Sequence, residues 1–300
     1  MKLEKVICLY KEKVYPVSFL IIPLVLYVVF FLTPCLLGMG YSLTDWNVRS
    51  MQDINFIGFD NYIEIFTSNK NYAQGIINTL KFTVISNIIK ITSALFLAVM
   101  LQKEIKGRNI YRSILYIPSI LPFLIIGIIF KSILNYNNGL LNTVLDALHL
   151  GFLKQQWLSD LNVVWKAIYG VDAWRGIGYV MTIFLAGLNT IPNSYYEAAE
   201  IDGANFLQKL WHVTLPMMTG AITINLVFGI TYGLKVFDII YVLTNGGPGH
   251  ATEVITTYSY TLFANGKYGM ATALNTILFV ITALIGIMIV KYMSKMEVQQ

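Results

Sequence analysis

A few charged residues stand in stretches whose neighbours are almost all apolar. Asp172 and Arg175 lie three residues apart in one such stretch, Lys235 and Asp238 repeat the spacing in another, and Lys90 sits in a third. Charges inside apolar helices are costly and face a cavity or a protein partner. A spacing of three lets two side chains share one helical face. Two uses fit: local ion pairs that only satisfy their own members, or the wall of a polar pocket. Asp172, Arg175 and Tyr179 supply one side of such a pocket, and Tyr232, Lys235 and Asp238 another. Hydrogen-bonding groups beside aromatic faces suit the hydroxyls and C–H surfaces of a sugar. Arg175 and Lys235 also suit an acidic sugar, although each has a carboxylate nearby in sequence.

Other chemistries find no matching pattern. His149, His212 and His250 are widely separated, and Cys8 and Cys35 form neither a zinc spacing nor a disulfide framework. There is no G-x-x-x-x-G-K-[ST] phosphate loop and no nucleophile elbow. A membrane-embedded enzyme is therefore disfavoured, and no metal or cofactor is expected on this chain.

The elements that must hold these residues are membrane helices. Of 300 residues, 56% are hydrophobic and 12% charged, about half the charge of an average soluble domain. Val14 to Thr44 and Tyr268 to Val290 contain no charged residue; about 20 apolar residues suffice to cross a bilayer. The first stretch is too long for the apolar core of a signal peptide and is expected to be a first span. The pattern predicts an all-α integral membrane protein forming one domain over 1–300, with six spans near 17–40, 78–101, 112–134, 164–188, 216–237 and 271–293. Only helices or closed barrels satisfy the backbone in lipid. Prolines at 23, 34, 118, 122 and 216 predict bends or irregular starts. "NYIEIF" and "NYAQGIINTL" are expected to form short interfacial helices, and "TNGGPGH" (244–250) a tight loop.

Basic residues set the direction. Lys2, Lys5, Lys11, Lys13, Lys103, Lys106, Arg108, Arg112, Lys209, Lys291 and Lys295 fall on one side, against Arg49, Lys70, Lys154 and Lys267 on the other. Eleven against four places both termini in the cytoplasm. The net charge of +5 is accounted for by this bias and requires no nucleic-acid partner.

One polar segment, Tyr195 to Pro216, interrupts the greasy chain on the cytoplasmic side. Ser194 and Glu197 have capping-box spacing, predicting a short helix from Tyr195 to Asp202. Gly203 suits its release. A second short helix is expected around Asn205 to His212, with Phe206, Leu207, Leu210 and Trp211 on an apolar face. Pro216 is expected to open the next span. A helix lying on the lipid surface would explain much of this. The small pair Ala198–Ala199 and the acidic residues favour a docking element instead.

"EAAEIDGANFLQKLWHVTLP" resembles the EAA loop of binding-protein-dependent ABC importer permeases: E-A-A, three residues, G, nine residues, then I/V-x-L-P. Glu197, Ala198, Ala199, Gly203, Val213, Leu215 and Pro216 match it. "INTLKFTV" (77–84), "FLAGLNTIP" (184–192) and "VFDIIYVLTNGGPG" (236–249) resemble the MalF-like sugar-permease branch in its compact six-helix form. The chain departs from the pattern in "LPMMTG", which lacks a second proline, and in Leu210, where an aromatic residue is common.

The resemblance implies a transport subunit of an ATP-driven importer in the cell membrane of a bacterium or archaeon, working by alternating access on a disaccharide or oligosaccharide. It implies partners: a second homologous permease, two cytoplasmic ATPase subunits that bind ATP and Mg, and an extracellular or periplasmic solute-binding protein. Glu197, Ala198, Ala199, Gly203, Phe206, Leu215 and Pro216, within the loop 194–216, would couple to an ATPase. Asp172, Arg175, Gly176, Tyr179, Tyr232, Leu234, Lys235 and Asp238 would line the solute pathway. The alternatives are an ion-coupled secondary transporter using Lys90, Asp172 and Arg175, or a permease of this type for a derivative such as an acidic sugar or glycerol phosphate.

Overall fold

The computed structural model describes residues 18–49, 53–68, 70–102 and 105–297. Lys2, Lys5, Cys8, Lys11, Lys13 and Lys103 lie outside the described residues, as do the side chains of Lys70 and Lys295. The architecture is all-α; an isolated bridge between Thr44 and Phe56 is the one β-type pairing among the described residues.

Among the described residues three helices have the length and apolar character to cross a membrane: α1 (Phe19–Tyr41), α2 (Lys70–Gln102), whose apolar run is Asn71–Gln102, and the last helix, apolar over Tyr268–Ile289. Two bent pairs raise this to five if each counts as one span. The helix at the predicted fourth span, Val164–Asn189, has 26 residues but carries Asp172 and Arg175 in its middle, so its composition alone does not mark it as a span. The coarse expectation of a multi-pass α-helical membrane protein therefore holds, and the count of six is not established by length and composition.

The bends revise two predicted spans. The stretch 112–134 is not one helix but two, α3 (Arg108–Ile120) and α4 (Phe123–Ile133), turned by 99°. Leu121 is extended because the following Pro122 disfavours a helical conformation at that residue. Further on, α5 (Val164–Asn189) is followed by α6 (Asn193–Ile201), α7 (Phe206–Met217) and α8 (Thr219–Leu234), with 72° between the last two. Pro216 thus does not open α8; it sits at the end of α7, behind a wide π turn at Leu210–Thr214. Such a turn relieves the clash of a proline ring with the carbonyl four residues back. "NYAQGIINTL" is likewise not a separate helix but the first turns of α2. The chain ends through α9 (Asp238–Leu243), α10 (Ile255–Ala264) and α11 (Tyr268–Glu297).

α5 packs most extensively on α2, and α8 and α3 flank this pair. Small residues allow the approach: a Cβ on Gly178 of α5 would meet the Leu115 carbonyl oxygen of α3 at 1.9 Å. Small interfacial residues are a common means of bringing membrane helices together. One buried cluster joins Ala94 and Ala98 of α2 to Met181, Phe184 and Leu188 of α5 and to Met218. A second joins Phe82, Ile126, Val164, Ile168 and Ile240. The loop 244–250 is pinned to α2: Asn78 Nδ2 donates to the carbonyls of Ala251 (3.0 Å) and Glu253 (2.8 Å). Within that loop Asn245, Gly246, Gly249 and His250 have positive φ, the tight turn expected.

Candidate solute pathway and coupling joint

Four helices line one cavity of about 480 Å³, with α3 contributing Tyr116, Ser119 and Ile120. α5 contributes Asp172, Arg175, Gly176 and Tyr179; α8 contributes Asn225, Phe228, Gly229 and Tyr232; α2 adds Asn87 and Lys90. On both α5 and α8 the positions run i, i+3, i+4, i+7, which is one face of a helix. Gly176 and Gly229 leave room for α2: a Cβ there would lie 2.7 Å from Lys90 Cδ and 1.8 Å from Asn87 Oδ1, respectively. The volume falls within the roughly 300–1,000 Å³ typical of ligand sites.

Asp172 is 2% exposed, and a carboxylate so buried must be paired. Its partners come from other helices. Ser86 Oγ donates to Oδ2, Lys90 Nζ lies 3.0 Å from the same oxygen, and Tyr232 OH donates to Oδ1 at 2.7 Å. Lys90 also lies 4.4 Å from the centre of the Tyr232 ring. The local pairing of Asp172 with Arg175, one of the two uses their spacing allowed, is therefore not formed: α2 packs against α5 and supplies the cation. Arg175 turns the other way, its Cζ 3.5 Å from the centre of the Phe123 ring and its Nη2 donating to the Ser119 carbonyl at 3.4 Å.

Lys235 and Asp238 do not share a helical face. α8 ends at Leu234, Lys235 lies past that end, and Asp238 begins α9. No ion pair joins them among the described residues. Both are exposed and line a second cavity of about 340 Å³ that shares Phe228 and Tyr232 with the first. Leu234, expected on the pathway, is 1% exposed and packed with Ile255, Leu262 and Leu274, so it offers a solute no surface. Of the eight expected pathway residues, Asp172, Arg175, Gly176, Tyr179 and Tyr232 come together, Lys235 and Asp238 adjoin them, and Leu234 is core.

Ser86, Asn87, Asn225 and Phe123 were not among the expected residues. Thr79, Thr83, Ser86 or Asn87, and Lys90 recur every three or four positions through an apolar stretch; that polar stripe would have revealed the α2 contribution. Asn225 is the one amide side chain in α8 and forms no polar stripe with its threonines, and Phe123 enters only through the bend at Pro122. Trp157 and Trp165 have packing roles, their indole N–H groups donating to Asn142 Oδ1 (2.8 Å) and the Ala251 carbonyl (3.3 Å).

The second assembly is the joint between α5 and α8. α6 ends in a Schellman motif: Ala204 N–H donates to the Ala199 carbonyl (2.9 Å) and Gly203 N–H to that of Glu200 (3.0 Å), with Gly203 at φ +76°. This is the release expected of glycine. The expected capping box at Ser194 and Glu197 is not formed. Pro192 precedes α6, which shows no side-chain cap. A capping box instead opens α7, where Asn205 Oδ1 accepts from Gln208 N–H (2.9 Å) and Gln208 Oε1 from Asn205 N–H (2.7 Å). Asn205 is extended and free to cap, whereas Ser194 lies inside the helix.

Two ties hold α6 against α7. Lys209 Nζ lies 2.8 Å from Glu200 Oε1, and Tyr196 OH shares a hydrogen bond with Thr214 Oγ1 at 3.1 Å. The Lys209 hydrogen bond and charge hold the Glu200 carboxyl below the usual carboxylate range. Glu197, Ala198, Gly203 and Phe206 are exposed, Ala199 and Leu215 half-buried, and Pro216 exposed. Ile201 is 87% exposed, so the joint presents an apolar and acidic surface to its surroundings.

Comparison with known proteins places this geometry. Residues 90–296 match the family described as binding-protein-dependent transport system inner membrane component. A multiple sugar-binding transport system permease protein, MsmF of Streptococcus mutans, is 35% identical over 283 residues, covering 94% of this chain and 96% of its own. A trehalose/maltose transport system permease protein, MalF of Thermococcus litoralis, is 31% identical over 262 residues, covering 87% and 88%. The fold is that of a bacterial ABC transporter involved in the import of the acidic polysaccharide alginate, with a TM-score of 0.79 at 23% identity over 93% of this chain and 94% of that one. A chain with several apolar helices, a polar cavity among them and a structured joint between two of the cavity helices thus belongs to the binding-protein-dependent transport system inner membrane component family.

Proposed function

We infer that this chain is a permease subunit of an ATP-driven ABC importer that carries a disaccharide or oligosaccharide inward. We assign it to the MalF-like branch with six spans, counting each bent pair and α5 as spans, and with both termini in the cytoplasm. It works with a second homologous permease, two ATPase subunits that bind ATP and Mg, and an external solute-binding protein. The relatives named for multiple sugars and for trehalose and maltose support the cargo class.

The observation that carries the reading is connectivity. The joint α6–α7 lies between α5 and α8, the two helices whose stripes form most of the cavity wall. A force applied at the joint is therefore delivered to two sides of the solute site at once. Glu197, Ala198, Ala199, Gly203 and Phe206 form the contact with an ATPase, and Leu215 and Pro216 transmit its motion into α8. Closure of the ATPases on ATP opens the pathway outward, and hydrolysis returns it. Glu197 has no catalytic part, since hydrolysis occurs on the partner.

The test is uptake by the complete complex in proteoliposomes against a panel of radiolabelled carbohydrates. Accumulation that requires ATP and the binding protein is expected, and it should survive collapse of proton and sodium gradients. Uptake driven by an ion gradient without ATP would establish the secondary-transporter alternative instead.

A further inference from the structure

The cavity carries an unbalanced positive charge. Its charged lining is Lys90, Arg175 and Asp172. Both oxygens of Asp172 are engaged, by Ser86, Lys90 and Tyr232, so Lys90 and Asp172 cancel. Among the described residues no carboxylate lies within ion-pair distance of Arg175; Asp172 and Asp238 act on its charge only from farther away. Its Nε is buried with no hydrogen-bond partner, and its one hydrogen bond, to Ser119, is long at 3.4 Å. Phe123 beneath the guanidinium fixes its plane, leaving the planar fork for bidentate contact with an oxyanion. The adjoining cavity adds Lys235 and Asp238, one charge of each sign and no net charge.

A second group in the same cavity asks for a donor. Asn225 is 2% exposed, its Nδ2 donates to the Val180 carbonyl at 3.4 Å, and its Oδ1 has no partner. A buried carbonyl oxygen in a polar cavity is satisfied by a hydroxyl or by water. We propose that the cargo is a sugar bearing an anionic oxygen group, a carboxylate or a phosphate, with the anion on Arg175 and a hydroxyl donating to Asn225 Oδ1. This rests on the carbohydrate-import reading and adds the charge of the cargo to it.

The charge can be read directly. In the complete complex, with Cys8 and Cys35 replaced by serine, Tyr179→Cys places a thiol on the cavity wall. Its reaction rates with sulfonatoethyl and trimethylammonioethyl methanethiosulfonate are each divided by the rate with glutathione. The anionic reagent should be favoured by at least about fivefold, the ratio one unit charge about 8 Å away gives at the dielectric of bulk water. Arg175→Gln should erase the preference and Arg175→Lys keep it. Cellobiouronic acid or trehalose 6-phosphate should slow labelling where cellobiose and trehalose do not; protection by only one of the two anions upholds the proposal and tells carboxylate from phosphate. Equal reagent rates, or equal protection by the neutral sugars, would overturn it. Failure of the wild-type complex to take up any sugar with ATP overturns the carbohydrate reading instead, a result separable from the labelling ratio.

Discussion

At the scale of single residues, the buried group that governs the site is Asp172, and its partners divide it from Arg175. Removing one member of a buried ion pair leaves a desolvated charge and costs about 3–5 kcal/mol, whereas replacing both by apolar groups is often neutral. Asp172→Leu is therefore expected to destabilise the helix core by that amount, and Lys90→Met likewise. The double variant Lys90→Met, Asp172→Leu should recover most of the loss, a large coupling in a double-mutant cycle. Unfolding in mixed detergent micelles measures all three, and additive losses would deny the pair. The sequence made the charges legible, because each is conspicuous in an apolar run. It could not reveal their pairing: spacing of three suggested Asp172 with Arg175, while the partner that won lies on α2 and is brought there by helix packing. Lys235 and Asp238 failed in the same way, since the helix that would have joined them ends at Leu234.

At the scale of elements, turns and breaks were only partly legible. Gly203 was readable as a helix stop because the left-handed conformation favours glycine, and φ +76° agrees. The capping box was readable as a pattern but misplaced, since S-x-x-E and N-x-x-Q both fit and only the backbone at Asn205 is extended. Proline foretold irregularity at Pro122 and Pro216 without its size or direction. A substitution series at Gly203 separates backbone from contact. A Cβ there meets nothing within 4 Å, so the fold itself imposes only the cost of the left-handed conformation, about 1–2 kcal/mol for most residues and less for Asn and Asp. Gly203→Asn should then retain ATPase co-purification and uptake near the wild-type level. Gly203→Asp, equal in shape but charged, should remain in the membrane and lose both. Equal behaviour of the two variants would mean that this surface is not read by a partner.

At the scale of the whole molecule, the cavity and the joint are two regions of one chain, and only stiffness between them makes them one machine. Motifs at 77–84 and 244–250 look independent in sequence, yet Asn78 bonds the chain just beyond the second, and Ile255 N–H donates to Thr79 Oγ1 at 3.0 Å. Long-range closure of this kind has no local signal and could be found only from the assembled fold. It also ties α2 to the chain beyond that loop, and on the proposed function α6–α7 is the element a partner would push. Allosteric coupling requires two states that both sites bias, so softening the joint should separate them. Four glycines inserted between Gly203 and Ala204 would interrupt the Schellman contact and slacken the Glu200–Lys209 tie without touching a cavity residue. The expected result is a complex that assembles and hydrolyses ATP while sugar uptake falls to background. Partner pushing and cavity opening would then be shown to travel through the same few residues. Retained uptake at the normal ratio of ATP to sugar would mean that the force reaches α5 and α8 by another route, through the companion permease rather than through this chain's own joint.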